Sequence, residues 1–109
     1  MTSEGRRVPQ TGGGMMRVIA RHVAVDTVAD PARFCAWARE VAVAEAAEGW
    51  VAPSGDGIEA WFEGSVPAVE AMLDWCVSTL EIARNDLEST TQRPVLGGGF
   101  DLLEAPPDS

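Results

Sequence analysis

The sequence predicts an α+β domain in which an antiparallel sheet carries two helices on one face, in the order strand, helix, strand, strand, helix, strand. Three observations lead there: a β-branched run at residues 17–26, turn residues at 53–57 between two extended segments, and two helical stretches with one apolar stripe each. Helices apolar along a single stripe cover one sheet face and leave the other open. A length of 109 residues suits one hydrophobic core.

Residues 17–26 (RVIARHVAVD) contain neither glycine nor proline and favour a strand. Alternation puts Ile19, Arg21, Val23 and Val25 on one side and Val18, Ala20, His22 and Ala24 on the other. Asp30-Pro31-Ala32-Arg33 marks a helix start, with Asp30 as an N-cap accepting from free amides and Pro31 where a missing N–H costs nothing. This helix is expected to run to about Glu48 and stop at Gly49, with Phe34, Trp37, Ala38 and Val41 as its apolar stripe.

Trp50 and Val51 open a second extended segment, which Pro53-Ser54-Gly55-Asp56-Gly57 turns back into residues 58–63 as a hairpin. Ile58, Ala60 and Phe62 share one face of the returning strand, and Glu59, Trp61 and Glu63 the other. Ser65 caps a second helix expected through about Thr79, striped by Val69, Met72, Leu73 and Cys76. Beyond Leu80, a polar strand over 83–92 and a short final strand over 100–103 are expected, separated by Pro94 and Gly97-Gly98-Gly99. Trp37, Trp50 and Trp75 are expected in the core or at its edge, where helices pack on the sheet.

Residues 1–14 have few apolar side chains and finish in three glycines, so they read as a flexible leader before a domain at 15–104. Residues 105–109 read as a disordered tail. No stretch resembles a secretory signal or a membrane span, and the expectation is a soluble, cytoplasmic protein. Seventeen acidic against eight basic side chains leave a formal charge of −9, which repels phosphate backbones, so nucleic acid is not an expected partner, and the lack of a long apolar run leaves no membrane partner expected either. The two cysteines, Cys35 and Cys76, are too few for a disulfide scaffold and are expected as reduced thiols.

Phe34 at the start of the first helix, Gly49-Trp50-Val51 after it, Asp56-Gly57 in the hairpin, Glu63-Gly64, and Ala68-Val69-Glu70-Ala71 leading to Trp75 stand in order over about residues 17–80. Through these pieces the chain resembles the acylphosphatase family, small enzymes that hydrolyse carboxyl-phosphate anhydrides on a ferredoxin-like βαββαβ sandwich. The resemblance implies a loop of the form G-x-V-Q-G-V-x-F-R before the first helix, whose amides cradle the phosphoryl group while the closing arginine binds it. Free amides and the positive end of a helix dipole favour such an anion.

Here the corresponding stretch, Thr27 to Cys35, has no glycine. Pro31 removes a donor, Asp30 offers its own carboxylate to the amides, and Cys35 stands where the resemblance implies the arginine. The asparagine that the family uses to orient the attacking water falls on Pro53, which has no side-chain donor or acceptor. Arg33 is the candidate to replace the missing cation, with Ser54 taking over the water contact.

Two classes of function follow. In the first, a domain lacking the family's catalytic Arg and Asn acts by binding on its open sheet face, as a homodimer, with a protein partner, or with a small molecule. The pairing implied by the resemblance brings His22 near Trp61, flanked by Glu59 and Glu63, with Arg84 or Asp86 on a neighbouring strand. In the second, the chain is an enzyme. It is then either a residual acylphosphatase using Arg33, or an acid/base catalyst on a small organic substrate using His22 and the nearby carboxylates. Cys35, in a helix's first turn, is a candidate nucleophile with His22 as its only histidine partner. No cofactor is called for, and His22 with Asp26 gives metal binding almost no support.

Overall fold

The computed structural model describes residues 17–95 and 98–107, and the leader expected at 1–14 lies outside them. Strand β1 (Val18–Val25) is followed by helix α1 (Pro31–Glu45), the hairpin of β2 (Glu48–Ser54) and β3 (Gly57–Ser65), and helix α2 (Val66–Leu80). A 3₁₀ turn (Arg84–Asp86) then leads to β4 (Glu88–Gln92) and β5 (Phe100–Leu102). The sheet order is β4-β1-β3-β2-β5. The first three pairings are antiparallel, as expected, while β5 lies parallel to β2 and makes the sheet mixed at that edge.

Both helices begin as their sequences suggest. The Asp30 carboxylate accepts from the Arg33 N–H, the Ser65 hydroxyl accepts from the Ala68 N–H, and each helix has a proline in its first turn. Helix α1 stops earlier than expected, at Ala46, which adopts φ 61° and donates its N–H to Ala42 and Val43. Its continuation is taken by the sheet, because Glu48 and Gly49 pair with Glu63 and Phe62 of β3.

The buried side chains of α1 are Phe34, Cys35, Ala38 and Ala42, with Val41 partly buried against the same core and Trp37 outside it. Ala38 and Ala42 let the helix lie close to the sheet. Trp37 is 45% exposed, which corrects its expected core place, and the Arg33 guanidinium sits 4.7 Å above its ring. Trp75 does lie at the core edge, 5.0 Å from Phe34. The core between helices and sheet joins Val23, Val51, Ile58, Ala60 and Phe62 to Val69, Met72, Leu73 and Cys76.

The strand expected over 83–92 is shorter than predicted. Arg84 donates to Glu70 and Asp74 of α2, and this double ion pair holds the 3₁₀ turn against the helix. Arg84 and Asp86 therefore do not stand on the open sheet face. No helix is long and apolar enough to cross a membrane among the described residues.

Because β4 and β5 occupy opposite edges of the sheet, the chain joining them has to cross it. It does so over the face without helices: the Val95 N–H donates to Glu63 Oε1 at 2.9 Å, and the Gly99 carbonyl accepts from the Gly49 N–H at 3.1 Å. This crossing explains why Ala20 and Glu63, paired on that face, are both buried.

Candidate functional site

Alternation along β1, β2 and β3 places His22, Trp61 and Trp50 side by side on the open face, in the registers His22 with Trp61 and Trp61 with Trp50. The next row holds Glu59, opposite Ala24 and Ala52, and the row on the other side holds Glu63. Asp101 of β5 stands beside Trp50. Val95, Gly98 and Gly99 of the crossing segment, with Pro106 and Pro107, wall this face around a half-open pocket of about 720 Å³. The Leu103 N–H donates to the Val51 carbonyl, and Pro106 and Pro107, within the stretch 105–109 expected as a tail, line the pocket.

Side chains in the pocket hold one another in place. Glu63, 2% exposed, accepts from Trp61 Nε1–H at 2.9 Å as well as from Val95, so the buried carboxylate also fixes the plane of the indole. Glu59 lies 3.1 Å from His22 Nε2 through one oxygen, while its other oxygen accepts from the Ser54 hydroxyl at 3.2 Å. The His22 and Trp50 rings, carried by strands two places apart, approach to 6.2 Å. Gly49 belongs to the pocket wall and has φ +128°, where a side chain would strike the Trp61 backbone.

The structure thus brings together His22, Glu59, Trp61 and Glu63, and adds Trp50, Gly49, Asp101, Val95 and the prolines. Trp50 was expected against the helices, but Val51 occupies that side and strand alternation turns Trp50 outward. The same alternation, applied to Phe100 in the core, would have placed Asp101 on the open face. No sequence signal pointed to Val95 or the prolines.

A smaller hollow of about 300 Å³ lies at the start of α1, where the resemblance places a phosphoryl cradle. Thr27, Ala29, Asp30, Arg33, Trp37 and Thr79 help to line it. The Asp30 carboxylate occupies an amide there, at 3.2 Å from the Arg33 nitrogen, and the Val28 N–H is taken by the Asp56 carbonyl. Arg33 stands at the rim with its guanidinium on Trp37.

Cys35 is fully buried, and burial pushes its thiol from 9.0 up to about 11. That is opposite to the shift a nucleophilic thiolate needs. Cys76, also buried, is pushed up to about 12 by the same cause. Both thiols are free.

No protein-family model matches the chain. Among solved structures, an acylphosphatase from Coxiella burnetii superposes with a TM-score of 0.67 at 16% identity, covering 79% of this chain and 93% of that one. The acylphosphatase of Bacillus subtilis gives 0.64 at 20% identity, covering 80% and 99%. Full-length HypF in a phosphate- and nucleotide-bound form gives 0.68 at 12% identity over 84% of this chain, which spans 12% of that much longer one. The architecture is therefore the ferredoxin-like α+β fold of acylphosphatases. A curated acylphosphatase from Chloroflexus aurantiacus is 36% identical over 64 residues, 58% of this chain and 70% of that protein. With that identity over most of the relative's length, the chain belongs to the acylphosphatase family.

Proposed function

We propose that this family member works by binding a small molecule in the pocket on its open sheet face, and that it has left acyl-phosphate hydrolysis behind. The observation that carries this reading is the contrast between the two hollows. At the start of α1, amides are taken by Asp30 and Asp56, Cys35 stands in place of the family's arginine, and Pro53 in place of its asparagine. On the open face, a pocket of about 720 Å³, within the usual range for small ligands, gathers two indoles, an imidazole and three carboxylates.

Concavity also favours a small ligand over a flat homodimer surface. Ala20 and Ala52 are buried on this face, Trp61 is tied to Glu63, and the crossing segment covers part of what an apolar interface would use. A second reading has its own support: the His22–Glu59 pair at 3.1 Å is a geometry suited to proton transfer on a bound substrate.

Two measurements on the full chain test the proposal. Benzoyl phosphate should be hydrolysed no faster than in buffer, and saturable changes in tryptophan fluorescence should accompany small aromatic ligands of mixed charge. Two of the four tryptophans line the pocket. The response should weaken in His22→Ala and Trp61→Phe. Benzoyl phosphate turnover that is abolished by Arg33→Ala and indifferent to both pocket variants would overturn the proposal and return the activity to the start of α1.

A further inference from the structure

Building on the pocket reading, we infer that its ligand is a small organic cation, an ammonium group carried on an apolar or aromatic body. The charge of the lining is one-sided. Glu59, Glu63 and Asp101 contribute carboxylates, and no lysine or arginine is among the described lining residues. The one basic group there, His22, is engaged by Glu59. Walls of low dielectric strengthen the negative potential inside such a cleft, and the −9 charge of the chain adds the same sign from outside.

Rings and carboxylates act together. The faces of Trp50 and Trp61 carry the negative part of the aromatic quadrupole, which attracts a cation and does nothing comparable for an anion. Asp101, exposed and in register with Trp50, offers a carboxylate beside that ring at the sheet edge. Glu63 lies deeper, and its bonds to Trp61 and Val95 hold its charge in a fixed place. The volume sets the size of the guest: about 720 Å³ is far more than a bare metal ion fills, so an organic body has to occupy the apolar wall of Val95, Pro106 and Pro107. An anion, including an acyl phosphate, would meet the carboxylates of Glu59 and Asp101 with no arginine or lysine among the described wall residues.

The test uses three probes of matched shape, phenethylamine, 2-phenylethanol and 3-phenylpropanoate, titrated into the full chain by calorimetry. Phenethylamine should bind about tenfold or more tightly than the alcohol, and the carboxylate weakest of the three. Asp101→Asn, at an exposed position that leaves the core untouched, should weaken the amine by roughly threefold to tenfold and leave the alcohol unchanged. Glu59→Gln, which keeps an acceptor for Ser54, should act in the same direction. If the alcohol or the carboxylate binds as tightly as the amine, the cation inference fails while the pocket reading stands. If none of the three binds at millimolar concentration, both fail.

Discussion

Replacing Gly49 by alanine is the sharpest test of how the sheet and the pocket are built. Gly49 has φ +128°, and an added Cβ would fall on the Trp61 carbonyl oxygen and 3.2 Å from the indole Cδ1. The backbone conformation alone costs an alanine about 1–3 kcal/mol. Relief of the clash has to move β2 away from β3 and loosen the Gly49 N–H bond to Gly99, adding about 0.5–1.5 kcal/mol. The sum is about 3 kcal/mol, and at roughly 4–5 °C per kcal/mol for a domain of this size the melting temperature should fall by about 12–15 °C. Gly55→Ala is the control, because φ there is +58° and nothing lies within 4 Å of the added atom. It should cost only about 1 kcal/mol, or roughly 4–5 °C. Thermal unfolding followed by circular dichroism measures both. A Gly49→Ala drop no larger than that of Gly55→Ala would show that no Trp61 backbone stands in the way, and the register joining Trp50 to Trp61 would be wrong.

Asp30→Ala removes the cap of α1 and should cost about 1 kcal/mol in urea unfolding; a cost near zero would mean that the carboxylate does not hold the amide. Arg84→Ala breaks two ion pairs whose partners are 43% and 70% exposed, so it should cost less than about 1 kcal/mol and still less in high salt. A larger, salt-independent loss would contradict the exposed geometry. With thiol pKa values of about 11 and 12, Cys35 and Cys76 should resist iodoacetamide at pH 8 in the folded chain and react once guanidinium unfolds it, read by intact mass. Their folded values lie above the unfolded 9.0, so the stability they contribute is fully present below pH 9 and is lost as pH rises through 11 to 12. Equal stability at pH 8 and pH 11 would refute the burial assigned to them.

Hollows lie at the start of α1 and on the sheet face without helices. At the start of α1 the Asp30 carboxylate accepts from the Arg33 amide, and on the open face Val95, Pro106 and Pro107 help to wall the larger pocket. Glu63 links the two levels of structure: its carboxylate ties the crossing chain to the sheet and at the same time orients Trp61. A change at Glu63 would therefore alter both the pocket wall and the pocket floor.

What could be read from residues alone was what depends on local periodicity. The alternation of Ile58, Ala60 and Phe62 against Glu59, Trp61 and Glu63 sorts one strand into a core face and an open face. Asp30-Pro31 and Ser65 announce helix starts because a cap works within a single turn. Where the signal was weak or ambiguous, long-range pairing decided. Glu48 left the expected helix for the ladder with β3, and in α1 contact with the sheet chose Ala38 and Ala42 over Trp37. Trp50 went to the open face because Val51 took the core. The enclosure of the pocket lay furthest from local signal. Nothing near Val95 or Pro106 in the sequence states that β5 pairs in parallel at the far edge, yet that single pairing carries the chain across the sheet and turns an open face into a walled, half-open pocket.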